Sequence, residues 1–250
     1  MSAAVIAVTI RKGGTGKTTT AAALAQAAAY TGRRVLAIDL DSQGNLSQAL
    51  GVRATADRNA YLLMMHTRPA AETVIESKQG LNVIPAAIDL ATIPDTTGAA
   101  RRLQSALKPI RADYDLIVID TPAAGILQYN ALQAATAAVF PVHADSYGIQ
   151  SIYQITDVTR QFMRTNPALT FAGVLLASYD GRPKHARAIR DAIRSQAEAL
   201  GVSYIGEVRR GVAIQEAATL QRSLYEYAPN SKPAADYLQA LQFIMKEGQT

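Results

Sequence analysis

The passage that most constrains this chain runs from Ala3–Thr9 through IRKGGTGKTTT into AAALAQAAAY. An apolar run, a glycine-rich turn and an alanine-rich helical stretch follow one another without a gap. Glycine lets the backbone approach a ligand closely, and the N–H groups at a helix start converge on negative charge. Such a strand, loop and helix form an anion cradle. In it Lys17 reaches the outer phosphates of a nucleotide, and the Thr18 hydroxyl ligates Mg2+. The usual G-x-x-x-x-G-K-[ST] spacing asks for glycine where this chain has Arg11, and a second lysine, Lys12, comes next. A simple cradle has no use for that lysine.

Further apolar runs lie at Arg34–Asp39, Leu81–Pro85, Asp115–Asp120, Ala137–Val142, Ala172–Ala177 and Ser203–Val208. Most are continuous, which suits strands buried on both faces. Between the runs, Thr19–Thr31, Ala99–Arg111, Ser151–Thr165, His185–Leu200 and Ala234–Lys246 are long enough for crossover helices. This alternation predicts an α/β fold, a mostly parallel β-sheet with helices on both faces. No linker or repeat interrupts it, so residues 1–250 read as a single domain, with no helix-turn-helix module ahead of the loop. The chain has no cysteine, which excludes disulfides, Cys-ligated zinc and iron–sulfur clusters. MSAAVIAVTI lacks a basic segment before it, and no apolar run reaches bilayer length, so the expected location is cytoplasmic. A net charge of +5 permits a polyanionic partner without requiring one.

Two of the apolar runs end in carboxylates. RRVLAIDLDSQGNLS carries Asp39 and Asp41, and YDLIVIDTPA carries Asp120. In parallel sheets, ligands lie at the carboxyl ends of the strands. There one carboxylate can hold the water shell of a phosphate-bound Mg2+, and another can orient an attacking water. Any one of them alone reads as a turn-former. Three beside a phosphate loop read as a site.

KGGTGKTT resembles the deviant Walker A motif of the ParA/MinD ATPases, and the resemblance extends over essentially the whole chain. LNVIPAAIDLA, YDLIVIDTPA, NALQAATAAVFPVHADSYGIQSI, GVLLASYDGR and EVRRGVAIQEAAT follow in the family's order. It implies ATP with Mg2+, bound through Lys12, Gly13, Gly14, Thr15, Gly16, Lys17, Thr18 and Thr19. Arg210 would join them from the base-recognising segment around Val208–Gly211. It further implies that Lys12 crosses the interface of an ATP-sandwich homodimer to the partner's nucleotide. DLDSQGN resembles D-x-D-P-Q-G-N, which makes Asp41 the water-orienting residue. Asp39 and Asp120, with Thr18, take the Mg2+-linked positions. Lys12, Lys17 and Asp41 are then the catalytic set. Ser42, Ala123 and Arg209 stand where the family has proline, and Ala213 replaces an arginine that in some relatives touches DNA.

The lack of an N-terminal module matches the short ParA class. That implies a slow ATPase of DNA partitioning, associated with the nucleoid, holding non-specific DNA as a dimer and released by a ParB-like adaptor. Arg182, Lys184, Arg187, Arg190 and Arg194 supply a candidate DNA surface, set against Asp191 alone in that stretch. On a helix, Arg187, Arg190 and Arg194 form one stripe opposite Ile189, Ile193 and Leu200. Such a stripe tracks phosphates without reading bases. A MinD-like membrane switch, a positioner of another large assembly and a metabolic ATP-dependent enzyme are the alternative roles. The last helix has an apolar side of Tyr237, Leu238, Leu241 and Ile244 but lacks the cationic face of a membrane anchor, so it reads as core. His66, His143 and His185 show no ligand spacing.

Overall fold

Continuous apolar strands need cover on both faces, and the chain supplies it in three layers. The computed structural model describes residues 3–96 and 98–247. The strands are β1 (Ala4–Val8), β2 (Val35–Asp39), β3 (Ile75–Glu76), β4 (Asn82–Ile84), β5 (Leu116–Asp120), β6 (Ala137–Val142), β7 (Thr170–Tyr179) and β8 (Tyr204–Arg209). They form one sheet in the order β3-β4-β2-β5-β1-β6-β7-β8, parallel except for the short edge strand β3. Side chains alternate between two cores, as a strand's period of two requires. Val5 and Ala7 of β1 face one, with Ile38 and Ile119; Ile6 and Val8 face the other, with Ala37 and Val118.

Helices α1 (Lys17–Tyr30) and α2 (Asn45–Ala49) cover the second core. The first takes α3 (Ala60–Met64), α4 (Ala70–Thr73), α5 (Arg102–Leu107), α6 (Ile126–Ala134), α7 (Ser146–Met163) and α8 (Lys184–Ala199). The chain then returns to the second core with α9 (Val212–Thr219), α10 (Leu224–Tyr227) and α11 (Lys232–Glu247). The alanines of α1 are buried from Ala21 to Ala28, and their small side chains let this helix lie close on the sheet centre. Beside β1, the neighbours are β5 on one side and β6 on the other. The loop after β1 therefore opens at the middle of the sheet's carboxyl end, where this architecture places ligands.

Three local expectations are corrected. Ala99–Arg111 is not one helix: a 3-10 turn (Ala99–Arg101) leads into α5, and a second turn covers Arg111–Asp113. Pro109, which has no N–H and crowds the preceding turn, stops the helix. The helix expected from Ser151 begins at Ser146, because the Asp145 carboxylate accepts the Gly148 N–H at 2.8 Å and caps it. Helix α6 is an addition to the expected set, since its buried side carries polar groups that weaken an apolar pattern. Gln128 donates to the Thr9 hydroxyl at 2.8 Å, and Asn130 accepts the Leu103 N–H at 3.1 Å.

Candidate nucleotide-binding site

The loop between β1 and α1 is shaped by glycines. Gly14 and Gly16 adopt φ of 70° and 87°, a region that other residues enter at a cost. Gly16 is also the N-cap of α1, and no side chain among the described residues caps that helix. Its first-turn N–H groups are left for an anion. Above them lies a cleft of ≈ 540 Å³. Gly13, Gly14, Gly16, Lys17, Thr18, Thr19 and Arg210 line it, as expected of ATP-binding residues, and so does Asp41. Thr15 is buried within the loop, and Lys12 lies outside the cleft, in a neighbouring depression with Arg11 and Ala123.

The Lys17 side chain is buried, and its Nζ donates to the Lys12 carbonyl at 2.9 Å. Burial lowers the pKa of its ammonium, while Asp120 and Asp41 pull it back up. Asp39 and Asp120 are register partners across β2 and β5, and both are fully buried. Burial and then the like charge of Asp39 push Asp120 up to about 8; the nearby Thr18 hydroxyl and Lys17 ammonium offset this only in part. One oxygen of Asp120 accepts the Thr121 N–H at 3.1 Å, and Oδ2 has no hydrogen-bond partner among the described residues.

Asp39 differs from its neighbour. Burial pushes it to about 6, but its oxygens are all engaged. Oδ2 accepts the N–H and hydroxyl of Ser47 at 2.8 and 2.7 Å, and Oδ1 accepts the Asp41 N–H at 3.2 Å. Of the three expected Mg2+ residues, the geometry therefore sets Thr18 and Asp120 together and gives Asp39 the task of holding the start of α2. A buried carboxylate oxygen without a partner, a hydroxyl beside it, a buried ammonium and an uncapped helix start fit a magnesium-bound nucleotide. Asp41 stands at the cleft wall, where its Oδ1 accepts the Gln43 N–H at 3.1 Å.

Several lining residues carried no recognised sequence signal: His143, Ser178, Gln215 and Tyr237. Tyr237 arrives from α11 and lies 3.4 Å from the Thr20 hydroxyl, a contact between the two ends of the chain. Arg209, in a family proline position, chelates Asp236 at 2.6 Å and ties β8 to α11.

Lys12 is turned away from its own cleft. Its Nζ pairs with Asp145 at 2.7 Å and lies 5.1 Å from the centre of the Tyr147 ring. The candidate DNA residues on and before α8 are less free than their spacing implies. Arg182 pairs with Asp180 at 2.6 Å, and Arg194 with Glu198 at 3.0 Å. Arg190 meets Asp191 at 2.8 Å and Glu207 at 3.7 Å while stacking near Tyr179. Arg187 donates to the carbonyls of Gly181 and Arg182 at 2.8 and 2.9 Å. Only Lys184 of the five is exposed with no hydrogen bond or ion pair among the described residues. Three of the five thus meet carboxylates, with Asp180, Glu198 and Glu207 reaching them from outside the stretch read in sequence. Ile193 anchors α8 in the core as expected.

Residues 3–171 match a family described as an AAA domain. The chain is 31% identical to the sporulation initiation inhibitor protein Soj of Bacillus subtilis, with 98% of this chain and 99% of that protein covered. It is 34% identical to the chromosome-partitioning ATPase Soj of Thermus thermophilus, with 96% and 94% covered. Among solved structures, cobyrinic acid a,c-diamide synthase from Mycobacterium smegmatis with bound ADP and magnesium superposes with a TM-score of 0.84 at 26% identity, covering 99% and 96% of the two chains. One fold thus carries proteins with different names, so architecture does not select the role. The sequence relatives and the signature lysine do, and on them this chain belongs to the ParA/Soj family of deviant Walker A ATPases.

Proposed function

We propose that this protein hydrolyses ATP to ADP and phosphate and uses the nucleotide state to switch between monomer and homodimer in DNA partitioning. The observation that carries this reading is the division of labour between two lysines of one loop. Lys17 is buried in the cleft, whereas Lys12 stands outside it on Asp145 and Tyr147. A lysine placed at the rim is available to a second molecule's nucleotide rather than to its own.

In the cleft, Lys17 and the open start of α1 hold the phosphates, and Asp41 orients the attacking water. Thr18 and Asp120 would hold Mg2+, which neutralises charge on the phosphate oxygens when bound. Arg210 and the start of α9 take the base end. One chain lacks the cation that completes the site, so basal turnover is slow. In other P-loop enzymes a cation supplied in trans adds roughly 10³–10⁵-fold. Turnover of an isolated chain well above about 1 s⁻¹ would count against this timing role.

The dimer would carry two copies of the α8 surface and hold non-specific duplex DNA on the nucleoid, until a ParB-like adaptor stimulates hydrolysis. Two weak surfaces on one particle bind far more tightly than either alone, which is how dimerisation controls DNA affinity. A membrane role is less well supported. The apolar side of α11, with Tyr237, Leu241 and Ile244, is buried, and no described helix is long and apolar enough to cross a bilayer. The test is binding to random-sequence duplex DNA at several salt concentrations with ATP, ADP or no nucleotide, for wild type and Lys12→Ala. Binding that needs both ATP and Lys12 is expected. Nucleotide-independent binding, or none, would overturn the reading.

A further inference from the structure

His143 follows directly on β6, where the β6–β7 ladder ends at the pair Val142–Leu176. The next rung is made by a side chain. Nδ1 of His143 lies 3.1 Å from the Ala177 carbonyl oxygen, and Nε2 lies 2.8 Å from the Gly14 carbonyl oxygen. Both partners can only accept. A neutral imidazole has one N–H and one lone pair, so it satisfies one carbonyl and turns the lone pair on the other. Only the imidazolium donates to both.

The consequence falls on the phosphate loop. The Gly14 carbonyl shares a peptide unit with the Thr15 N–H, and in a planar trans peptide the two point in opposite directions. Tying the carbonyl toward β6 and β7 turns that N–H the other way. It has no acceptor among the described residues. Ala177 supports the loop from the same side, since a Cβ on Gly16 would come 3.3 Å from its Cβ. The clamp therefore bears on Gly14 and Gly16, the two loop residues with positive φ, and His143 itself lines the cleft.

We propose that His143 is a positioning residue of the nucleotide site. In its charged form it fixes the Gly14–Thr15 peptide for the phosphates and adds a cation beside them, so that the hold on a nucleoside di- or triphosphate depends on a proton. This rests on the cleft being the nucleotide site. Loss of the proton opens one arm of the clamp, and affinity falls as pH rises. Other ionisable groups surround the ring's position. Lys17, Asp41, Arg210 and Tyr237 line the same cleft, and Lys12 pairs with Asp145 two residues along. Asp39 and Asp120 lie at the strand ends below. Because these groups also titrate, the contribution of His143 is read as a difference between two proteins.

The experiment measures the affinity of a fluorescent ADP analogue with Mg2+ over a pH series from about 6 to about 8.5, for wild type and His143→Gln. The wild type should bind about tenfold more tightly than the variant at the low end of the series, the worth of one charge-assisted hydrogen bond. That advantage should shrink toward unity at the high end. A ratio that stays constant with pH, or equal affinities throughout, overturns the proposal while leaving the nucleotide site intact. Absence of binding by the wild type at every pH overturns the nucleotide reading, and this proposal with it. A second measurement needs no variant. Nitrogen-15 shifts of the ring in the nucleotide-free protein should show both nitrogens protonated wherever the wild type outbinds the variant, and a neutral ring there overturns the assignment.

Discussion

The cleft at the sheet's carboxyl end and the flank of α8 are both rich in charge, and they treat it in opposite ways. In the cleft Lys17, Asp39 and Asp120 are buried, and Asp120 keeps an oxygen without a partner among the described residues. On the flank Arg182, Arg190 and Arg194 are each matched by a carboxylate near the surface. An unmatched buried carboxylate costs the folded state free energy, whereas an exposed pair contributes only about 0–1 kcal/mol. The cleft therefore holds ionisable groups that a ligand would satisfy. The flank holds charges that exchange a carboxylate for a phosphate with little change in stability.

The sharpest way to break that contrast is Asp120→Asn. With its pKa raised from 3.8 to about 8 by burial, Asp120 holds a proton in the folded chain that the unfolded chain has released across this range. Stability contributed by that proton is present at low pH and is lost as pH rises toward about 8. Asp39, raised to about 6, adds a smaller decline that ends sooner. Calorimetry of nucleotide-free, magnesium-free protein should show the melting temperature falling from about pH 5 to pH 8. The Asn variant should melt higher at pH 8, with only the shallower decline left. Its affinity for magnesium-bound ADP should drop about 100-fold, the upper range for removing a hydrogen bond to a charged group. Identical pH profiles in the two proteins would show that Asp120 is not a strained group.

On the flank, the cation to change is Lys184, which has no hydrogen bond or ion pair among the described residues. Lys184→Ala should reduce the salt slope of ATP-dependent DNA binding by about 1 for each phosphate no longer neutralised, with affinity falling several-fold. Arg194→Ala, whose partner is Glu198, should alter the slope less. A helical stripe of Arg187, Arg190 and Arg194 predicts the reverse ranking. A titration of both variants therefore decides between that stripe and a surface centred on the start of α8. Neither variant should shift stability by more than about 0.5 kcal/mol, since both positions are exposed.

What the sequence disclosed follows from the range of the interactions. The sheet was legible because β1, β2, β5 and β6 are continuous apolar runs, and the loop was legible because its glycines and Lys17 act over a few residues. Helix α6 was hidden by Gln128 and Asn130, polar groups whose partners on Thr9 and Leu103 cannot be seen locally. The same holds for His143 and Tyr237, brought to the cleft by strand order and by the return of α11. Balance on α8 was hidden too, since Glu207 reaches Arg190 from another strand. Asp39 and Asp120 read alike in sequence, each closing a strand. What separates them is Ser47, which occupies one and leaves the other open.

Between cleft and flank lies Lys12, a cation neither buried nor free, and Asp145→Asn tests what holds it. Asn is as good a helix cap as Asp, so the start of α7 is retained while the charge opposite Lys12 is removed. The pair is partly exposed, with 29% and 39% of the two side chains accessible, which places its strength near the upper end for surface pairs at about 1 kcal/mol. If Asp145 restrains Lys12 in the monomer, that amount is returned when the restraint goes. ATP-dependent dimerisation, followed by sedimentation over a range of protein concentrations, should then tighten by about tenfold, roughly threefold for the Lys12 of each chain, short of the full fivefold apiece because the Tyr147 ring still attracts the ammonium. ADP affinity of the monomer should not change, because Lys12 lies outside that cleft. Weaker dimerisation would instead assign Asp145 to the assembled interface, with Lys12 already set for its partner before the two chains meet.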